Sequence, residues 1–581
     1  MRTARASTLG FHAGAAGSLG ALVPLTWARA LVPAALVAGL VASAAPATAS
    51  PADPLAVPAP VSVAVVVPLT VPVGTTGLLD AETLTEYTSE GGLLDRELDA
   101  VSGTLAAVAL DPMIPVSIRV LGSSAPAEAV AFLDRLRLIP NQLFLLGYAD
   151  ADPALAAEAG IPLTPLGFSF AIDPADFGPA QTATPVPEDT PGPSETPDPG
   201  EPPPLPTTEE LLDWATSLPA IAWPAEGTVA AEGLAGLAAQ GYTHVLLAES
   251  NASASTSARA ALGDLEAVIA DDELTAAVRA AAYASSTTGY EAAALQLSAV
   301  LRDAAAAAPG RTLVATLDRD WPEAEPRLAQ VLATVSTSPD AAMTTLSAVL
   351  AGPRSSVTLT EPSTEDPRPA ALARIGEAAA AETTYLRIAD DPAALTQPRR
   401  LSLLALAGAG WSGDTAGWSR AAEELLTDTR ATLDAVQIVA GSDQLVLSDI
   451  SSLRIQVSNA LPAAVTVSLQ VRPLRPLLHV DDPSVQVTVE PDSTATAAVG
   501  VQAITNGDVS VRAELRDSVG AAVGSPRVLR VILQAGWETA GTLIAGALVV
   551  IVFGAGIVRT VLRRRSGIAS GDEADATDAD G

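Results

Sequence analysis

Eight carboxylates in this sequence each follow a short apolar run. Asp111 follows Val108-Ala109-Leu110, Asp150 and Asp152 follow Leu145-Leu146-Gly147-Tyr148, and Glu226 follows Ala220-Ile221-Ala222-Trp223. Glu249 comes after Val245-Leu246-Leu247-Ala248, Asp318 and Asp320 after Val314-Ala315-Thr316-Leu317, and Glu361 after Val357-Thr358-Leu359-Thr360. If those runs are parallel strands, the acids stand at the C-terminal strand ends, where βα folds keep their working groups. Paired carboxylates are the equipment of glycoside hydrolysis: one donates a proton and the other serves as nucleophile or base, about 5–5.5 Å or about 6.5–9.5 Å away. Glu249 and Asp318, set directly after apolar runs, are the candidate catalytic pair. Asp111, Asp150 and Asp320 are candidate ligand-binding groups, with Trp223 and Trp321 as flat faces for sugar rings. Simpler duties compete for several of them. Asp152 before Pro153 has the form of a helix N-cap, Asp320 precedes Trp321-Pro322 at another helix start, and Asp111-Pro112 is a turn pair. The sequence therefore leaves catalysis open and favours binding over hydrolysis.

Other chemistries lack their parts. The chain has no cysteine and no lysine, so disulfides, thiolate nucleophiles, Schiff bases and lysine-dependent phosphate loops are absent together. Its three histidines are His12, His244 and His479. Only His244 falls within the βα region, inside an apolar run where a packed core residue is expected, so neither a His-based metal centre nor a serine hydrolase can be assembled. The acids around Asp150 and Asp152 leave an all-carboxylate calcium site open, but without EF-hand spacing. No metal site and no cofactor is expected. A net charge of −34 argues against nucleic acid, which needs clustered cations. Asn251-Ala252-Ser253 matches a glycosylation sequon but is too short a pattern to count.

The strands that must position these acids are expected at 61–67, 104–110, 142–146, 220–223, 243–248, 312–317 and 356–360, with alanine-rich helical stretches between them. That alternation is the mark of βα units on a mostly parallel sheet. Seven units predict a (β/α) barrel-like domain, closed or nearly closed, over 61–434. Pro126 opens one helix, Asp152-Pro153 opens another that ends before Gly160, and a third runs to Gly241. Residues 181–209, rich in Pro, Thr and acids, are expected to be an extended insertion.

From 436 to 534 the pattern changes to period-two alternation, as in Leu453–Asn459, Val465–Val471, Val485–Glu490, Thr494–Ala503, Val509–Asp517 and Arg527–Leu533. Short alternating strands separated by Asn, Pro, Gly and Asp predict an immunoglobulin-like β-sandwich without a cysteine pair. The fold expected overall is thus α/β plus all-β, with one transmembrane helix after it. Residues 539–558 carry no charge, and about 20 such residues cross a hydrocarbon core of roughly 30 Å. Trp537 precedes this stretch, and Arg559, Arg563, Arg564 and Arg565 follow it, which predicts an outer N-terminal side and a cytoplasmic C-terminus ending in an acidic tail over 559–581. At the other end, Arg2, Arg5 and Arg29, an apolar run over 31–45 and Ala47-Thr48-Ala49 have the form of a signal peptide spanning 1–49. A cell-membrane, single-pass, extracytoplasmic protein of the envelope is expected.

Four stretches carry a resemblance to a known family: LGYADADPALAAEAG (146–160), AIAWPAEG (220–227), VSNALPAAVTVSLQV (457–471) and VQAITNGDVSVRAELRDSVGAAVG (501–524). With the membrane helix and its trailing arginines, they resemble actinobacterial exported single-pass proteins that contain a domain of unknown function and are often encoded beside the lipid II flippase. The likeness covers nearly the whole chain after residue 49. It departs at the third strand motif, where Leu146-Gly147-Tyr148 stands in place of the expected proline and tyrosine together. The resemblance implies an envelope location, a link to cell-wall assembly, and peptidoglycan, wall polysaccharide or the flippase as partners. It implies no activity.

Overall fold

The computed structural model describes residues 59–178, 204–319, 327–361, 366–439, 441, 444–446, 451–534 and 537–566. The expected signal peptide, residues 181–203 of the Pro/Thr-rich insertion, Asp320, Trp321 and the acidic tail lie outside these residues, and the insertion's last residues open a helix, Thr208–Leu212, capped by Thr207, where an extended run is expected.

Strand β1 (Val61–Leu69) is buried along nearly its whole length. A strand covered on both faces reads as a continuous apolar run, which is how VSVAVVVPL stands out in the sequence. Successive side chains point to opposite faces. Val61, Val63, Val65, Val67 and Leu69 enter one core, while Ala64 and Val66 enter another. β2 (Ala107–Leu110) divides in the same way, with Val108 and Leu110 in the first core and Ala107 and Ala109 in the second. The first core lies under helices such as Leu93–Val101, Ala127–Leu138, Asp272–Ala282 and Leu328–Thr337. The second, where alanines lie beside Phe144 and Trp223, is the space enclosed by the strands.

These strands belong to two sheets. β3 (Leu143–Leu145), β2, β1 and β8 (Thr312–Thr316) pair in that order, all parallel, with β9 (Ala341–Met343) also on β1. The second sheet runs β10 (Arg354–Ser356), β6 (Arg259–Leu262), β7 (Leu265–Ala270), β5 (His244–Ala248) and β4 (Ile221–Ala222). Its β6–β7 pair is an antiparallel hairpin. Each sheet is a half-barrel, and one inner core holds Val66, Phe144, Ile221, Trp223, Leu246 and Val268 from both. The closed or nearly closed barrel expected from the sequence is not formed as one ladder: the strands divide between these two sheets. At one seam Leu218 N–H and Ser217 N–H donate to Leu143 O, and at the other Asp271 N–H donates to Val314 O at 2.8 Å.

Most expected strands appear with trimmed ends. The seventh does not: β10 stops at Ser356, and residues 357–360 form only an isolated bridge through Leu359. The hairpin β6–β7 and strand β9 have no counterpart among the expected strands.

Three longer helices follow, Arg368–Tyr385, Pro392–Leu406 and Thr415–Leu433, packed around Trp411 and Trp418, whose indole N–H groups donate to Ala405 O and Leu406 O. Beyond them stands a two-sheet β-sandwich. β11 (Val436–Ile438), β13 (Ser451–Asn459), β17 (Ser493–Ala503) and β15 (Leu478–Val480) form one sheet. β12 (Gln444–Val446), β19 (Ala522–Leu533), β18 (Gly507–Arg516), β14 (Val465–Pro473) and β16 (Ser484–Val489) form the other. Leu453, Ile455 and Val457 face Val467, Leu469, Val509 and Val511 across the core, as period-two patterning requires. The sandwich is seated on the helices before it. Leu386, Ile388 and Ala389 enter its core, Tyr385 OH accepts from Val436 N–H at 3.0 Å, and Asp390 N–H donates to Ala464 O.

The last described helix, Trp537–Ser566, contains a stretch from Gly541 to Arg564 of mean hydropathy 2.4 in which no part is buried. A helix core to a soluble fold would be covered, whereas this one has no protein against it and is long and apolar enough to cross a membrane.

Candidate functional site

Four residues meet at the C-terminal ends of β2, β3, β4 and β8. Just past β3, Ala149 and Asp150 adopt left-handed backbone conformations with φ of 57° and 48°. Few residues other than glycine tolerate this region, though aspartate is among those enriched there. The kink brings the Asp150 carboxylate to the Arg319 guanidinium, whose Nε lies 2.9 Å from Oδ2 and 3.2 Å from Oδ1. Both side chains are about nine-tenths buried. Arg319 Nη2 also donates to Trp223 O at 2.6 Å, and its guanidinium carbon lies 4.5 Å from the Trp223 ring centroid. This one arginine thus ties the end of β8 to that of β3 and to that of β4, joining the two half-barrels.

Asp111 lies beneath this junction. Its Oδ1 accepts from Met113 N–H at 2.8 Å and from Ala149 N–H at 2.9 Å, so it anchors the left-handed turn that carries Asp150. Burial, reinforced by the Asp150 charge, pushes the Asp111 carboxyl up to about 8, against the backbone donors that oppose it. Asp150 is also raised by burial, with Arg319 opposing. Asp152 has the capping role read from the sequence, accepting from Ala154 N–H and Leu155 N–H, and adds a bond from Ala225 N–H at 3.0 Å.

The expected catalytic pair does not join this cluster. Glu249 opens a short 3-10 turn where its backbone N–H donates to Asp272 Oδ1. Asp318 is half-exposed; its Oδ1 accepts from Arg319 N–H, and its Oδ2 is 3.8 Å from Arg279 Nη1. Neither carboxylate lines any of the cavities described here. Trp223, expected to offer a face to sugar, is 4% exposed and has Arg319 against its ring. His244 is less enclosed than expected, at the start of β5 beside Glu266, which Arg259 holds in a bidentate pair. Among the described residues, no group of three or more His, Asp or Glu is arranged to hold a metal.

Three charged side chains that the structure makes prominent are not among the candidates drawn from the sequence. Arg319 follows directly on the apolar run that drew attention to Asp318, yet a search for paired acids passes over it. Arg279 lies on the helix after β7, where its Nε donates to Thr316 O, its Nη2 donates to Thr316 Oγ1 at 3.0 Å, and it pairs with Glu226. Glu97 is fully buried, and burial holds its carboxyl well above the usual range, with Arg96 and the Thr70 backbone opposing. Its signal was present: Leu94, Glu97, Leu98 and Val101 share one helical stripe.

Beside the junction, between the ends of β4, β5, β7 and β8, is a cavity of about 170 Å3 lined by Trp223, Glu226, Asp272, Thr316 and Arg279 among others. A larger cleft of about 640 Å3 neighbours it, lined by Asp152, Glu158, Glu232, Glu361, Asp366 and Arg368.

Two half-barrel sheets with charged groups gathered at their strand ends, followed by a β-sandwich and one helix apolar enough to cross a membrane, describe a single-pass membrane protein with a mixed α/β and all-β body. Residues 41–576 match a family of unknown function, DUF6049, and the chain belongs to it. No curated protein matches. Among solved structures, part of Escherichia coli α2-macroglobulin, from domain MG7 to the C-terminus, is 16% identical over 17% of each chain with a TM-score of 0.15. An MSP family member of Caenorhabditis elegans is 4% identical over 17% of this chain and 99% of its own, with a TM-score of 0.14. A FixG-related protein from Vibrio parahaemolyticus is 15% identical over 17% of this chain and 94% of its own, also at 0.14. The chain spans about a sixth of the macroglobulin fragment.

Removing one partner of a buried ion pair leaves the other charge uncompensated, at a cost of about 3–5 kcal/mol. Arg319→Met is therefore expected to lower stability by about that much in denaturant unfolding, and Arg319→Met with Asp150→Asn to be more stable than Arg319→Met alone. Equal stability of the two variants would show that the pair is not coupled. Between pH 4 and 8 folded Asp111 keeps a proton that the unfolded chain has lost, so stability falls as pH rises through that window. Asp111→Asn, which keeps the accepting oxygen, is expected to flatten this slope in thermal unfolding followed against pH.

Proposed function

We propose that this chain is a membrane-anchored, extracytoplasmic envelope protein that binds a glycan or a protein partner in cell-wall assembly without cleaving it. The observation that carries the binding reading is the state of the strand-end acids. Asp150 is paired with Arg319, Asp111 and Asp152 accept backbone N–H groups, Glu249 and Asp318 line neither strand-end cavity, and Glu226, which does line one, is paired with Arg279. A hydrolase needs two carboxylates facing one substrate bond, and neither member of the nominated pair lines the two strand-end cavities, which favours binding. In this reading the two half-barrels act as one barrel-like scaffold. Their shared inner core and the seam bonds at Leu143 O and Val314 O support that. The sandwich acts as an immunoglobulin-like stalk, supported by its two facing sheets and its position before the helix.

The proposed orientation rests on charge. Arg559, Arg563, Arg564 and Arg565 crowd one end of the apolar stretch, and cytoplasmic flanks carry such arginines. The basic, apolar and small-residue order of residues 1–49 supports export. A flippase partnership rests on the family resemblance, with the uncovered helix as the surface available for it.

Because the native chain lacks cysteine, single-cysteine labelling is clean. A membrane-impermeant maleimide is expected to label Gln486→Cys on intact protoplasts and Ser566→Cys only after permeabilisation; the opposite pattern would invert the topology. In a sedimentation assay, the full-length protein in detergent is expected to pellet with purified peptidoglycan and release no reducing ends. Release of reducing ends that disappears in Glu249→Gln or Asp318→Asn would instead establish the hydrolase.

A further inference from the structure

The cavity between the ends of β4, β5, β7 and β8 has two unlike surfaces. Leu246, Leu247, Ala248, Ala270 and Trp223 give it an apolar floor, and Glu226, Ser250, Asp272, Thr316 and Arg279 give it a polar rim. At about 170 Å3 it lies below the roughly 300–1,000 Å3 usual for pockets that take drug-sized ligands, so it suits one small ring and not a chain. We infer that this cavity is a binding site for a single neutral saccharide unit, its ring carbons against the apolar floor and its hydroxyls on the Arg279–Glu226 and Asp272 groups. The inference rests on the glycan side of the proposed function and gives it a location.

Charge chooses among ligand classes. The rim carries two carboxylates against one guanidinium, and the whole chain is at −34, which opposes an anion. A cation is no better served, because both carboxylates are already compensated. Glu226 pairs with Arg279. Asp272 accepts from Glu249 N–H and Ser250 N–H, both at 2.9 Å, and sits in the first turn of the helix Asp272–Ala282. What remains is hydrogen-bonding capacity without net demand for charge. The second Glu226 oxygen, the unused lone pairs of Asp272 and the Ser250 hydroxyl can accept, and Arg279 Nη1, whose nearest anionic partner is 3.8 Å away, can donate. A fork of donors beside a fork of acceptors matches vicinal hydroxyls, each of which both gives and takes a hydrogen bond. Thr316 and Thr275 hold the fork in place, since Arg279 donates to Thr316 Oγ1 and O, and Thr316 N–H donates to Thr275 Oγ1.

Ala276 lines the cavity yet is exposed on its helix, so enlarging it obstructs the site without overfilling a core. The experiment titrates N-acetylglucosamine and glucose into the full-length protein held in a detergent without a sugar headgroup, read by tryptophan fluorescence. Saturable binding of at least one sugar is expected, unchanged between low and high salt and weakened at least tenfold in Ala276→Phe and in Glu226→Ala. Binding that survives Ala276→Phe overturns this site, and binding that collapses with salt overturns the neutral class. If neither sugar binds while the same preparation still pellets with peptidoglycan, the cavity inference fails and the glycan reading stands. If both assays are negative, both fail.

Discussion

A parallel strand has no face to show to water, and the architecture up to residue 434 follows from that. β1 must be covered twice, so its odd-numbered valines meet the helices and its even-numbered residues meet the opposite half-barrel. The inner core sets Ala64, Ala107, Ala109 and Ala270 beside the large Phe144 and Trp223, while β1 turns only valines and Leu69 toward the helices. The helices are consequences of the same demand. Only the strand ends escape it, and there the polar side chains collect.

At those ends the chain resolves a conflict between burial and charge. Asp111 and Asp150 lie close together in an apolar surround, where two ionised carboxylates could not persist. Arg319 compensates one and the other keeps its proton. The left-handed turn at Ala149 and Asp150 is what makes the pairing reachable, and Asp111, accepting from Ala149 N–H, fixes that turn. The same arginine lies against Trp223 and bonds to its carbonyl, so the junction between half-barrels is polar in chemistry although its surroundings are not.

Much of this was legible in the sequence, for physical reasons that differ by region. In the sandwich one face is buried and one is wet, so Leu453–Asn459 and Val465–Val471 announce themselves by alternation, and β13 and β14 extend those runs by two residues each. The three-residue strands β11, β12 and β15 are too short to show a period. In the βα region β1 is unmistakable because it is apolar throughout, but LEAVIA of β7 and AAM of β9 are alanine-bearing stretches that suit a helix equally well. Pairing with neighbours decides them, and one strand does not carry its neighbours' sequence. At the strand ends, Asp111, Asp150 and Trp223, read from their types as ligand-binding candidates, come together around Arg319 and serve the junction between the half-barrels. Glu249 and Asp318 carried the same signal but lie elsewhere, because proximity across strand ends depends on which strands adjoin. Glu97 was readable from helical spacing alone.

The join between sandwich and apolar helix is short. β19 ends at Leu533 and the helix begins at Trp537, four residue steps that span at most about 14 Å even when fully extended. With the helix in a bilayer, the sandwich can tilt and spin but cannot drift away. Because Leu386, Ile388 and Ala389 are built into its core, the half-barrels travel with it at a height set by the protein's own body. Encounters with anything else held in that membrane then become lateral searches over a surface, in which a weak contact at the strand ends is revisited many times before the partners part.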